Sequence, residues 1–203
     1  MTTDLEGDLL STEPTPDPRV AARAAARFLA SADEQGLLDV AYAVVATPVG
    51  DLVAAATPRG LVFLGYEDGR LDERLELLAR RVSPRVLEAP ARLDAPRRQL
   101  DEYFEGRRRD FELPIDWVLV RGFGREVLRA TARTPYGQVA TYRDVATEAG
   151  SPRAVRAAGN ALGANPMPIV VPCHRVVRTG GGLGGYTGGL ERKERLLALE
   201  RRG

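Results

Sequence analysis

Cysteine and histidine are almost missing from this 203-residue chain: there is one of each, and they are neighbours, Cys173 and His174. A single thiol cannot form a disulfide within the chain, so a reducing compartment, the cytoplasm, is expected. One Cys and one His cannot supply a Cys- or His-rich zinc site either, and no metal is expected. Lysine is equally scarce, with Lys193 alone against 28 arginines. No uncharged apolar run approaches the roughly 20 residues that a membrane helix needs, and the acidic segment 1–18 lacks the basic and apolar regions of a signal peptide. What remains is concentrated in Pro172-Cys173-His174-Arg175-Val176-Val177. Two readings of Cys173 stand: a small hydrophobe closing a buried apolar run, or a thiol made reactive by an adjacent imidazole and the charge of Arg175.

A net charge of +1 conceals a division. Residues 1–117 hold 15 Arg against 22 Asp and Glu (net −7), and residues 118–203 hold 14 Lys and Arg against 6 Asp and Glu (net +8). The basic half carries Cys173. It reads either as a surface for a polyanion or as a solvated arginine-rich face.

Residues 1–18, rich in Pro, Thr, Asp and Glu, read as a disordered tail. The alanine-rich stretch from Arg19 to about Leu38 predicts a helix with Val20, Ala24, Phe28 and Leu29 on one packing face. Strand patterns follow at Tyr42–Val45, Leu52–Ala56 and Leu61–Tyr66, separated by Thr47-Pro48-Val49-Gly50 and Pro58-Arg59-Gly60. Such short turns predict an antiparallel sheet. Helices are expected over 71–81 and 95–104, and a short strand at Asp110-Phe111. Beyond Trp117 the texture is helical: 124–133, then 142–149 capped by Thr141 and ended by Gly150, then 152–162 opened by Ser151-Pro152. Two short helices joined by a tight turn form a helix-turn-helix pattern, which many plain helical hairpins share. Pro166, Pro168 and Pro172 predict an extended path into Cys173. The glycine-rich stretch 180–189 has no following phosphate-loop lysine and reads as a close-approach loop. A final amphipathic helix over 190–201 carries Leu196, Leu197, Leu199 and Glu200.

Taken in order, Pro135-Tyr136-Gly137-Gln138-Val139-Ala140-Thr141-Tyr142, Arg153-Ala154-Val155-Arg156-Ala157-Ala158-Gly159-Asn160-Ala161, Asn165-Pro166, Ile169-Val170-Val171-Pro172-Cys173-His174-Arg175-Val176-Val177 and Gly184-Gly185-Tyr186-Thr187-Gly188-Gly189-Leu190 resemble the O6-alkylguanine-DNA alkyltransferases. The match runs through 118–200, is weaker over 40–117, and is absent from 1–38. The resemblance implies an α+β fold. A ribonuclease-H-like α/β domain with a small antiparallel sheet would occupy 39–117, and a mostly helical, winged helix-turn-helix-like domain with the reactive cysteine 118–203, behind a tail and extra helix over 1–38.

The activity it implies is direct-reversal DNA repair: one alkyl group moves from guanine O6 to Cys173, once per molecule, with no cofactor. O4-alkylthymine is an open second substrate. Cys173 would be nucleophile and acceptor, His174 the base acting through a water, and Glu200 the carboxylate that orients the imidazole. Tyr142 would donate towards guanine N3 and Asn165 would tie the helix-turn-helix to the reactive loop. Arg156 would replace the extruded nucleotide in the stack, with Thr141, Ala157, Gly159 and Arg175 also at the DNA. Pro168, Tyr186 and Gly188 would line the alkyl pocket, supported by Val176. The implied partner is double-stranded DNA carrying O6-alkylguanine, bound in the minor groove with little sequence preference by a monomer, at the nucleoid; cooperativity stays open. Ala158, Asn160 and Met167 depart from the common pattern at positions where DNA contact or pocket width is tuned. Alkyltransferase-like relatives that only bind lesions lack the cysteine, and the Cys-rich regulatory domain of some members has no counterpart in 1–38. Read from the residues alone, a cysteine hydrolase using Cys173, His174 and Glu200, and a DNA-binding regulator with a structural thiol, remain the alternatives.

Overall fold

Short turns and alternating apolar residues build a hairpin meander from Val40 onward. The computed structural model describes residues 36–202 without a break and, before them, Asp17, Arg19, Val20, Arg23, Ala24, Arg27 and Ser31. Residues 1–37 and 38–203 form two units. In the first, the described residues from Arg19 to Ser31 are helical and exposed, so Val20 and Ala24 do not form the expected buried face. The expected tail, apart from Asp17, and the packing residues Phe28 and Leu29 lie outside the described residues. Gly36 stands in a turn, which ends any helix short of Leu38.

In the second unit, β1 (Val40–Val45), β2 (Leu52–Thr57) and β3 (Gly60–Tyr66) pair antiparallel, with a bulge between Ala55 and Ala56. The chain then forms α1 (Leu71–Arg81) and returns as β4 (Val86–Glu88), which pairs parallel to β1. The sheet order is therefore β3-β2-β1-β4, and the sheet is mixed where the turns alone predicted an antiparallel one. A parallel neighbour needs a crossover, and α1 supplies it. No strand forms at Asp110-Phe111. Arg108 donates to Glu102 and to the Asp110 carbonyl, and Gln99 exchanges two hydrogen bonds with the Glu112 backbone, so this segment wraps onto α2 (Asp94–Phe104). The sheet is reached only at Ile115, by one bridge to Leu61.

The remainder is mostly helical: α3 (Gly122–Ala132), α4 (Tyr142–Glu148), α5 (Val155–Gly163) and α6 (Leu190–Arg202). Thr141 caps α4 through a reciprocal pair of bonds with Asp144. The second helix of the pair starts later than Ser151-Pro152 suggested. Ala154 N–H donates to the Ser151 carbonyl, so Pro152 occupies a turn and α5 begins at Val155. The two-residue strands β5 (Ala140–Thr141) and β6 (Val176–Val177) pair parallel. This joins the cap of α4 to the strand that leaves Cys173. The proline segment is also not extended. It folds into a tight turn in which Val171 N–H donates to the Met167 carbonyl and Ile169 is held at a φ of 76°. A β-branched residue there is strained. Complete burial of Ile169 and Met167 holds the turn closed.

Candidate active site

The turn places Cys173 in a single 3-10 turn, Cys173–Arg175, with all three side chains buried. Asn165, just past the end of α5, organises the approach. Its amide nitrogen donates to the Val171 carbonyl at 2.8 Å and to the Cys173 sulfur at 3.2 Å, while its side-chain oxygen accepts from Met167 N–H. Burial pushes the Cys173 thiol up to about 11, against the opposing pull of the Asn165 bond and the Lys193 charge.

Next to it, His174 is fully buried and its Nε2 lies 2.8 Å from Glu200 Oε1. Glu200 also accepts from Tyr103 Oη (2.7 Å), from Arg175 Nε and Nη2 (2.9 Å each at the nearer oxygen) and from Gly137 N–H (3.2 Å). Burial alone would favour the neutral acid, but the bonds from His174 and Arg175 outweigh it and hold the carboxyl down at about 2. With Glu200 ionised, Nε2 must carry the hydrogen that it donates. Nδ1 is then the basic nitrogen, and it is buried with no hydrogen-bond partner among the described residues. Burial also lowers the imidazole pKa, opposed by Glu200. The ring is therefore held neutral, in one tautomer, with its lone pair available.

A cavity of about 270 Å³ opens onto Cys173, lined by Tyr142, Gly159, Leu162, Gly163, Gly185, Tyr186 and Thr187. Two bonds close its rim: Gly185 N–H donates to Tyr142 Oη, and Thr187 Oγ1 donates to the Gly163 carbonyl. A Cβ at Gly184 would stand 2.5 Å from Tyr142 Oη, so only glycine lets the loop approach this closely.

The expected site residues thus separate into groups. Cys173, Asn165, His174 and Glu200 converge, and Tyr142, Gly159 and Tyr186 share the cavity with the sulfur. Arg156 and Ala157 are exposed on α5, and Thr141 caps α4. Arg175 requires correction. It was expected at the DNA surface but is buried, because its guanidinium is committed to Glu200 and the Thr134 carbonyl. Pro168 is buried and is not among the residues that line the cavity, Val176 is buried, and Gly188 sits against the ring of Tyr66. Of the departures from pattern, Ala158 and Met167 are core residues and only Asn160 is exposed.

Three residues escaped the sequence reading. Tyr103 and Tyr66 reach the site from the sheet-bearing half, the first bonding Glu200 and the second Tyr186. Lys193 is fully buried, its ammonium donating to the carbonyls of Val176 and Leu183 at 2.5 Å each. For Lys193 a signal existed, since a sole lysine among 28 arginines marks a place where a point ammonium fits and a planar fork does not. Among the described residues no cluster of three or more His, Cys, Asp or Glu could hold a metal ion, and no helix is long and apolar enough to cross a membrane.

Comparison with known proteins agrees with this geometry along most of the chain. Residues 40–117 match the 6-O-methylguanine DNA methyltransferase, ribonuclease-like domain, and residues 122–202 match the 6-O-methylguanine DNA methyltransferase, DNA binding domain. The inducible methylated-DNA–protein-cysteine methyltransferase of Bacillus subtilis is 40% identical over 149 residues, covering 73% of this chain and 83% of that protein. Among solved structures, the Mycobacterium tuberculosis O6-methylguanine methyltransferase superposes with a TM-score of 0.69 at 34% identity, covering 80% of this chain and 93% of the other. The M. tuberculosis OGT in complex with DNA gives 0.68 at 33% identity, with the same coverage. Fold, site geometry and sequence together place the chain in the 6-O-methylguanine DNA methyltransferase family.

Proposed function

We propose that this protein repairs DNA by taking the alkyl group of O6-alkylguanine onto Cys173, once per molecule. One observation carries the proposal: the second helix of the helix-turn-helix and the buried thiol share a single cavity, lined by Gly159, Leu162 and Gly163 on one side and closed by Cys173. Guanine O6 lies inside a stacked duplex, so a sulfur can be brought in line with its O–C bond only when the nucleotide has left the stack. A base extruded next to α5 enters the cavity directly.

His174 Nδ1 takes the thiol proton, through a water, while Glu200 steadies the imidazolium. The sulfur then attacks the alkyl carbon, an S–C bond forms and the C–O6 bond breaks. The electron pair passes into the purine, which is protonated with help from Tyr142 and leaves as guanine. The net proton moves from sulfur to base, and the thioether stays. The burial around Cys173 keeps the resting thiol neutral against the pull of the Asn165 bond, so the thiolate is made when the substrate is in place. Exposed Arg156 fills the gap in the stack, and small residues such as Ala157 allow close minor-groove approach by a monomer, with contacts chiefly to phosphates. In this reading 39–117 supports and 118–203 reacts.

Incubation with a duplex containing O6-methylguanine tests it: the Cys173 peptide should gain the mass of one methylene in a stoichiometric burst, while Cys173→Ser should bind the same DNA and gain nothing. An unmodified wild-type peptide would sink the proposal.

A further inference from the structure

The sheet-bearing half contributes one side chain to the back of the cavity wall. Tyr186 lines the cavity, and its hydroxyl is 3.0 Å from that of Tyr66 at the end of β3, the rings meeting edge to face at 6.2 Å. Burial raises the pKa of both phenols, Tyr66 to about 12, so both are neutral and the contact is a hydroxyl–hydroxyl hydrogen bond. Tyr66 is itself fixed. The Arg192 guanidinium lies 4.2 Å from its ring centroid and is held by Asp68 through two bonds of 2.7 and 2.9 Å, by the Val49 carbonyl and by the Gly188 carbonyl. A Cβ at Gly188 would stand 2.2 Å from the Tyr66 ring, so the loop that carries Tyr186 is seated on that ring.

We propose that Tyr66, braced by Arg192, is a positioning residue that sets how large an alkyl group the cavity admits. It is not among the residues that line the cavity. It acts by pinning the hydroxyl of Tyr186, the wall residue whose ring also stands edge-on to His174. With the pin in place the wall cannot swing outward, and a wide substituent must displace a buried hydrogen bond before the sulfur can reach its carbon. A methyl group imposes no such demand. Tyr66 thus acts on selectivity between alkyl groups, with little effect on the displacement of the smallest one. The assignment rests on the alkyl-transfer reading above.

Transfer rates from O6-methylguanine and O6-benzylguanine, placed in the same duplex, test it. Tyr66→Phe keeps the ring and removes only the bond. Releasing a hydrogen bond worth about 1 kcal/mol corresponds to about a fivefold rise in the benzyl-to-methyl rate ratio, with the methyl rate held within about twofold. Arg192→Met, which frees the ring from its brace, should raise the ratio in the same direction. Tyr103→Phe, which weakens the hold on Glu200, should lower both rates together and leave the ratio alone. An unchanged ratio in Tyr66→Phe and Arg192→Met, or a proportional fall in both rates, overturns the proposal while leaving the alkyl-transfer reading intact. Failure of the wild-type protein to transfer either group overturns both.

Discussion

At the scale of single residues, Glu200 does more than a carboxylate paired with one imidazole. It is the anion on which His174, Arg175, Tyr103 and Gly137 converge, and its side chain is 1% exposed. Removing one partner from a buried charged pair leaves the other uncompensated and costs about 3–5 kcal/mol. Glu200→Gln should therefore lower the unfolding free energy obtained from urea titration by an amount of that order, as well as slowing transfer by releasing the imidazole tautomer. Acid should produce a related loss. His174 and Glu200 both have folded pKa values below their ordinary ones, 6.5 and 4.5, so the unfolded chain binds more protons as pH falls. Stability should be full at neutral pH, decline below about 6.5 as the unfolded imidazole takes up a proton, and fall again from about 4.5 towards 2 as carboxylates do. Urea midpoints measured across that range check this. In Glu200→Gln the step below 4.5 should shrink, and an unchanged step would assign the acid loss to other carboxylates.

At the scale of elements, the reach of the sequence depended on whether an element was specified locally. Thr141 is the clearest local case. Its hydroxyl accepts from Asp144 N–H and the Asp144 carboxylate accepts from Thr141 N–H, and a threonine three residues before an acid announces that arrangement. Thr141→Ala should cost about 1 kcal/mol, a fall of about 2–4 °C in Tm for a protein of this size, followed by circular dichroism at 222 nm. Because β5 pairs with β6 directly after Arg175, the same substitution should slow transfer without abolishing it. Where an element depends on a distant partner, local signals misled. Three prolines argue for extension, yet the segment turns, because burial of Met167 and Ile169 and the two-sided grip of Asn165 outweigh the strain at Ile169. β4 is three residues long between Pro84 and Pro90 and exists because β1 offers it an edge. Cys173 and His174 were legible because their chemistry is rare in this composition, whereas Glu200, one of 28 acidic residues, was legible only through the family resemblance. Arg175 was misassigned for the opposite reason: among 28 arginines nothing local distinguishes the one that is buried. Tyr66 and Tyr103 were invisible because a tyrosine in a strand or on a helix face reads as core until the other half of the fold is in place.

At the scale of the whole molecule, a net −7 over 1–117 stands beside a net +8 over 118–203. The acidic half supplies buried tyrosines to the site, and the basic half carries the cavity and the exposed arginines Arg143, Arg153 and Arg156 on and beside α4 and α5. If those arginines neutralise phosphates, the affinity for undamaged duplex should fall steeply with salt, with a slope in log–log form of about −0.9 per phosphate contacted. Replacing all three by glutamine should make that slope shallower by about two to three units and weaken binding to every sequence alike. Repair of duplex should suffer through binding and, for Arg156, through loss of the side chain that fills the stack, because none of the three hydrogen-bonds to Cys173, His174 or Glu200. Transfer from free O6-benzylguanine, which needs no DNA, should therefore proceed at the wild-type rate in the triple variant. Fluorescence anisotropy across a salt series, alongside transfer from the free base, measures both quantities. An unchanged slope would move the DNA-binding surface elsewhere on the basic half, and a matching loss of transfer from the free base would show that these arginines shape the cavity rather than hold the duplex.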